Sequence, residues 1–265
     1  MNSLLHSALA ALPPDARILD AGGWFKPLNR ATHIVDLMPY ETRRGVVTPN
    51  PLAGECFTRD TWLQLNFLTP GWRLPFADQS FDFVFCGHTI EDLADPAPLL
   101  RELRRVARAG YFETPSRLCE QTVGQRDRMC SAQGHPHHHW IVEAAGPAEL
   151  LLAHKADSLD GNPRSRVPLR TYERLVRAGS HSEICQLSWR GTFEFTLVRG
   201  EPARQRAAGF AGGLGVRPAD HVVDRAIRIA RRLKRLRQRA IATSTRDWWE
   251  EMLRISRPYS KLPLS

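Results

Sequence analysis

The chain has 265 residues, of which 42% are hydrophobic and 25% charged, a balance typical of a soluble globular protein. It contains no apolar run as long as a membrane span and no N-terminal signal-peptide pattern, so we expect a cytoplasmic protein. The five cysteines are scattered and include no CxxC pair, which argues against a disulfide framework and a common zinc finger. The net charge is +9, and +6 of it falls within residues 219–240, so the rest of the chain is not unusually basic.

The first half of the chain predicts two strands with polar ends. Residues 17–23 form an apolar run that ends in Gly22-Gly23, and residues 32–36 form a second run that ends in Asp36. Glycines let a ligand approach the backbone closely, and an acid at the end of the next strand can bind a ribose diol. The connection is too short for a full helix, and the pattern G-x-G-x-x-G is absent, which disfavours a nicotinamide or flavin site.

Residues 81–117 predict a strand, a helix and a second strand. The run at 81–86 suits a strand buried on both faces, Asp95 and Pro96 indicate a helix start, and Gly110 can end that helix. Ligands bind outside the carboxyl ends of such strands. Polar side chains collect at these two ends: His88, Glu91 and Asp92, and then Glu113, Ser116 and Arg117.

The other expected elements follow from apolar periodicity and from turn residues. They are a lead-in helix at 4–12, a loop at 39–59, a third strand at 62–67, hairpins at 140–154 and 183–198, a helix at 170–178, a glycine-rich linker at 201–218 and a basic amphipathic helix from 219.

The segment from residue 17 to 155 contains the motifs Asp20-x-Gly22-Gly23, Asp36, a Leu-Pro-Phe lead-in at 74–76, His88-Thr-Ile-Glu-Asp and Gly110-Tyr-x-Glu-x-Pro-Ser-Arg, followed by a His-His-x-Trp element at 137–140. In order and spacing these motifs resemble those of class I S-adenosylmethionine-dependent methyltransferases, and more narrowly a bacterial group of small-molecule methyltransferases. The resemblance implies an α/β fold with a Rossmann-like, mostly parallel sheet of seven strands, extended here by antiparallel hairpins.

The resemblance also implies S-adenosyl-L-methionine as the cofactor. Its methionine end would lie on the first loop, its ribose on the second strand and its adenine after the third. The cofactor-binding residues implied in this way are Asp20, Gly22, Gly23, Asp36, Leu37, Asn66, Gly87 and His88.

The segment at 133–140 contains four histidines in five positions, His135 and 137–139. They could bind a metal together with His88, Glu113 or Glu120. Neighbours in an extended chain point to opposite faces, so we assign no metal and favour a histidine-bearing loop over the substrate pocket.

Methyl transfer to a hydroxyl requires a group that removes its proton, and histidine is the natural candidate. We expect His88 to be this base, with His137 and His138 as second candidates. The expected substrate-binding residues are Glu91, Glu113, Arg117 and His138. We expect the acceptor to be a small polar molecule, a sugar or a specialised metabolite.

We therefore divide the chain into a methyltransferase domain at 1–200 with its core at about 15–155, a linker at 201–218 and a basic helical segment at 219–265. The stripe on that helix favours docking on its own body or in a homodimer, ahead of an anionic membrane and nucleic acid. Two alternatives stay open: a metal-dependent enzyme that uses residues 135–139, and a non-catalytic module recruited to membrane or RNA by the basic helix.

Overall fold

A computed structural model describes residues 3–48, 50–124, 132–226 and 229. Its main feature is a six-stranded sheet in the order β3-β2-β1-β4-β5-β8, in which β8 is antiparallel to β5 and all other neighbours are parallel. The strands are β1 (Ile18–Ala21), β2 (His33–Asp36), β3 (Trp62–Gln64), β4 (Phe83–Gly87), β5 (Ala109–Pro115) and β8 (Ile184–Arg190). The expected Rossmann-like, mostly parallel sheet is confirmed, although the described residues supply six strands to it instead of seven.

The strand order reverses between β1 and β4, because the chain builds outward from β1 to β3 and then returns to the other side of β1. In open α/β sheets such a reversal leaves a crevice at the carboxyl ends of the two strands. The connection from β1 to β2 contains no helix, as its length predicts. The loop at 22–32 is therefore free to line that crevice.

The helices are α1 (Ser3–Ala10), α2 (Ala97–Val106), α3 (Arg117–Gln121), α4 (Lys155–Leu159), α5 (Leu169–Arg177) and α6 (Gly200–Gly213), and short 3-10 helices lie at Tyr40–Gly45, Arg59–Thr61 and Pro163–Ser165. α2 starts where Asp95 Oδ1 accepts the Ala97 N–H at 3.1 Å, and its apolar face is buried. It ends at Val106, so the expectation that Gly110 terminates it is wrong. Gly110 lies within β5, where a Cβ would come within 2.7 Å of the Trp189 indole.

A second sheet consists of β6 (Trp140–Gly146), β7 (Glu149–His154) and β9 (Glu194–Val198). The expected β6–β7 hairpin is present. The expected hairpin at 183–198 is wrong, because β8 joins the large sheet while β9 runs parallel to β7. Phe193 explains the separation: its ring is buried against Phe112 and Trp189 in the main core, which directs the chain from one sheet to the other.

Residues 201–213 are helical, so the expected linker is wrong over that range. Ala203, Ala207 and Ala211 recur every four residues and are buried, the first two in a cluster with α4, β6 and β7. Each helical glycine costs about 1 kcal/mol relative to alanine. Packing of this small-residue face offsets that cost.

Residues 218–226 are also helical, but most of the predicted basic segment lies outside the described residues. Within the described part of the chain, no helix combines the length and apolar character that crossing a bilayer requires.

Candidate active site

A cavity of about 850 Å³ opens at the carboxyl ends of β1 and β4. This size is typical of pockets that hold small molecules and cofactors. Four parts of the chain contribute to its wall: the strand ends, α1, the loop after β1 and the 3-10 helix at Tyr40–Gly45. The lining residues are Leu5, His6, Leu9, Ala10, Gly22, Gly23, residues 25–30, Arg44, Phe85, Gly87, His88 and Glu113.

Gly22 and Gly23 lie in the loop after β1 and form the floor of the cavity. Gly22 has a φ of +84°, and a Cβ there would lie 1.9 Å from the Thr89 hydroxyl. A Cβ on Gly23 would lie 2.6 Å from Asp20 Oδ2. A side chain at either position would clash, so this backbone conformation requires glycine at both.

Asp20 is fully buried behind this loop. Its Oδ2 accepts the Leu28 N–H at 2.8 Å, whereas its Oδ1 has no hydrogen-bond partner among the described residues. Burial raises the pKa of Asp20 to about 7, helped by the charge of Asp36 and opposed by the bond from Leu28. A buried acceptor without a partner beside a glycine floor fits a cofactor that carries donor or cationic groups.

The other cofactor residues expected from the sequence, Asp36, Leu37 and Asn66, lie at the ends of β2 and β3 and are not among the cavity-lining residues. Asp36 accepts the N–H groups of Trp24 and Met38 at 3.0 and 2.8 Å, and burial raises its pKa to about 6. Leu37 is exposed.

His88 follows β4 with a φ of +53° and faces two carboxylates. Its Nε2 lies 3.6 Å from Glu113 Oε1, and its Nδ1 lies 3.5 Å from Glu91 Oε1. These interactions, first that with Glu113 and then that with Glu91, raise the pKa of His88 to about 9. A pKa of about 9 favours the imidazolium at neutral pH, a state that donates hydrogen bonds, and the role of His88 as a base stays a prediction.

The two carboxylates differ in their surroundings. Glu113 lines the cavity and accepts the Tyr111 hydroxyl at 2.8 Å. Glu91 is buried beneath His88, and neither of its oxygens has a hydrogen bond within the described structure. Of the four expected substrate-binding residues, only Glu113 lines the cavity.

Arg117 and His138 lie elsewhere. Arg117 is buried at the start of α3, where its guanidinium pairs with Glu143 on β6 and donates to Gln121 Oε1 at 3.2 Å. His138 is buried with its Nδ1 at 2.9 Å from Glu120 Oε1.

The histidine segment folds into a turn, not an extended lid. The His138 N–H donates to His135 O at 3.2 Å, and the two rings stack with centroids 4.2 Å apart. The Lys155 ammonium donates to the buried Glu120 carboxylate. Burial alone would raise the pKa of Glu120, but the hydrogen bonds from His135 and His138 and the charge of Lys155 lower it overall.

Sequence reasoning missed α1 and residues 25–30 as parts of the cavity wall. Arg30 connects them, because its guanidinium donates to Leu12 O at 3.0 Å and Pro13 O at 2.7 Å at the end of α1. The available signal was the cluster of Lys26, Asn29 and Arg30 directly after the two glycines.

The reversed strand order, the glycine floor and the cavity define a Rossmann-like cofactor-binding domain. A family model described as a methyltransferase domain matches residues 52–112. Over these residues the chain is similar to methyltransferase domains, and this match supports a class I S-adenosylmethionine-dependent methyltransferase with S-adenosylmethionine as its cofactor. No curated protein matches the chain.

Similar solved structures include the YcgJ protein of Bacillus subtilis, with 20% identity over 42% of this chain and 49% of that one and a TM-score of 0.29. Another is a methyltransferase of Thermotoga maritima described as a possible histamine N-methyltransferase, with 21% identity over 47% and 55% and a TM-score of 0.28. A third, from Mesorhizobium loti, shows 13% identity over 78% and 79% with a TM-score of 0.34. The chain thus spans about half the length of the first two.

Proposed function

We propose that this protein transfers a methyl group from S-adenosylmethionine to a hydroxyl of a small polar acceptor, a sugar or a specialised metabolite, in the cytoplasm. The observation that carries the proposal is the cavity at the carboxyl ends of β1 and β4, with its glycine floor and its polar wall at His88 and Glu113. Bound there, the cofactor supplies an electrophilic methyl group.

The chain's own residues would hold the cofactor by backbone and carboxylate contacts. Gly22, Gly23 and Gly87 offer close backbone approach, and Asp20 offers an acceptor for a donor group. Leu37, Asn66 and Asp36 would complete the site, with the remaining lone pairs of the Asp36 carboxylate directed to the ribose.

At the acceptor end, His88 would hold the Glu113 carboxylate in position, because its two N–H groups face Glu113 and Glu91. Its imidazolium state follows from its position between Glu113 and Glu91. As the new oxygen–carbon bond forms, the hydroxyl proton would pass to the Glu113 carboxylate, which lies on the same wall. Lys26 and Arg44 on the cavity rim suit an acceptor that also carries an anionic group.

Titration calorimetry with S-adenosylmethionine tests whether the protein binds the proposed cofactor. We expect saturable binding to the full chain, and no heat of binding at high micromolar concentrations would refute the proposal. Gly23→Ala should weaken binding, because its Cβ would displace Asp20. Gly209→Ala is the matched control: its Cβ would meet no atom within 4 Å, so its affinity should equal that of the wild type.

A panel of acceptors tests the second half. The release of S-adenosylhomocysteine should be measured with hydroxyl, amine and carboxylate acceptors of similar size. Transfer to hydroxyl compounds supports the proposal, whereas transfer confined to amines or to proteins and nucleic acids would contradict it.

The proposal includes a homodimer that forms through the C-terminal basic segment. Light scattering on the full chain and on a chain ending at residue 218 tests it. A dimer that becomes a monomer on truncation is expected, and an unchanged mass would refute the assignment.

A further inference from the structure

The turn at residues 135–138 brings histidine rings together that an extended chain would separate. Pro136 occupies the second position of the turn, where its fixed φ is favoured, and the His138 N–H closes the turn on His135 O. The rings of His137 and His138 lie 4.6 Å apart and nearly perpendicular. Two neighbouring imidazoles therefore face one region of space.

Asp92, on the loop after β4, completes a set of three donor groups. Its Oδ1 lies 3.5 Å from His138 Nε2 and 3.8 Å from His137 Nε2. The three ligand atoms all lie within 4.8 Å of one another. In a tetrahedral zinc site with Zn–N bonds of about 2.0–2.1 Å, ligand atoms are about 3.3 Å apart. Small side-chain adjustments would bring the three atoms to that spacing.

The surroundings of His138 also match a metal ligand. Its Nδ1 pairs with Glu120 Oε1 at 2.9 Å, and because a carboxylate accepts, this bond places the ring proton on Nδ1. Nε2 then keeps its lone pair and points to Asp92. A carboxylate behind a histidine is the usual outer partner of a metal-bound imidazole.

A second group of possible ligands, Glu120, His135 and His138, is less suitable. The ammonium of Lys155 already donates to Glu120 and to His135 O. A second cation there would be repelled by this charge. Because Lys155 occupies the Glu120 side of His138, an ion is better placed at Nε2, on the Asp92 side of the ring. Glu120 then serves as the outer partner through its hydrogen bond with Nδ1.

We propose that Asp92, His137 and His138 bind one divalent transition-metal ion, best Zn²⁺, with Glu120 as the outer partner of His138. Two imidazoles and one carboxylate favour such an ion over Mg²⁺ or Ca²⁺. The side chains of Asp92 and His137 are 42% and 68% exposed, so the ion would keep positions open to water or to oxygen atoms of a substrate. Three protein ligands with an open position are typical of a catalytic zinc site. The site does not depend on the proposed methyl transfer.

The test uses the full chain, purified without a histidine tag and stripped with a chelator. Co²⁺ is titrated first, because its visible absorption reports coordination by nitrogen and oxygen ligands, and Zn²⁺ is then titrated in competition. We expect one equivalent to bind and Zn²⁺ to displace Co²⁺, with no competition from Mg²⁺. The absence of saturable binding in the wild type would overturn the proposal.

Asp92→Asn and His137→Gln change exposed side chains and should leave the melting temperature unchanged while weakening metal affinity at least about 10-fold. His139→Gln is the matched control, since its exposed ring belongs to neither group of ligands and its affinity should equal that of the wild type. Equal affinities for all three variants would also overturn the proposal, because binding would then occur elsewhere. Glu120→Gln should weaken binding about 10- to 100-fold through loss of the outer partner.

Discussion

Replacing the buried Asp20 by asparagine should stabilise the protein above neutral pH. The carboxylate has one hydrogen bond, from the Leu28 N–H, and one buried oxygen without a partner in the described structure. Asparagine keeps an oxygen for the Leu28 bond and carries no charge to desolvate. The two proteins should therefore differ only where wild-type Asp20 is ionised.

The expected size follows from the pKa of Asp20, which rises from 3.8 to about 7 on folding. The folded state holds this proton more tightly than the unfolded state, so stability is highest below pH 3.8 and declines as the pH rises to about 7. The total loss is on the order of 4 kcal/mol. Asp20→Asn should match the wild type near pH 4 and exceed it by a few kcal/mol at pH 8.

Urea denaturation at several pH values from 4 to 8 measures this difference. Asp15→Asn is the control, because Asp15 is an exposed acid just before β1 and its removal should leave the curve unchanged. If the free energies of unfolding of Asp20→Asn and the wild type depended on pH in the same way, the reasoning would be refuted. Asp20 would then have the same pKa in the folded and unfolded states. Calorimetry on the same proteins should show weaker binding of S-adenosylmethionine by Asp20→Asn.

Three further predictions concern other parts of the molecule. By NMR the imidazole of His88 should titrate near pH 9, and at a lower pH in Glu113→Gln. Its ion pairs should contribute fully to the stability of the fold below pH 6.5, and this contribution should be lost as the pH rises through about 9. Arg43→Met should cost about 1–3 kcal/mol in urea denaturation, because it removes one of the two arginine partners of the buried Glu55 carboxylate and leaves Tyr40 O without its hydrogen bond. An unchanged midpoint would contradict this. Ala207→Leu should cost about 1–3 kcal/mol by overpacking α6, and an unchanged midpoint would show that this face has room.

The parallel sheet was predictable because each of its strands can be recognised from its own short stretch of sequence. The runs at β1, β2 and β4 are apolar, short and ended by polar residues or glycine, so their position and the ligand end of the sheet follow from the sequence. α6 was not predictable by the same reasoning. Its glycines and Pro202 indicate a loop, whereas the structure has a helix whose three alanines are buried in two apolar clusters.

The candidate site divides in the same way. Gly22, Gly23 and His88 could be placed from their spacing to strand ends, which the fold fixes. The state of His88 could not, because its pKa depends on two carboxylates whose distances only tertiary structure sets. The turn at Pro136 likewise reverses the expectation of an extended histidine segment, and nothing near Lys155 in the sequence indicates its pairing with Glu120.

Two buried carboxylates near the cavity, Asp20 and Glu91, bear directly on function. Asp20 and Glu91 are both buried, and between them three carboxylate oxygens have no hydrogen bond within the described structure. A buried acceptor left without a partner costs about 1–3 kcal/mol, and departures of this kind are expected at functional sites. Asp20 lies behind the loop that floors the cavity, while Glu91 lies beneath His88, whose imidazolium it helps to hold. We therefore predict that Asp20→Asn impairs cofactor binding and leaves the titration of His88 near pH 9.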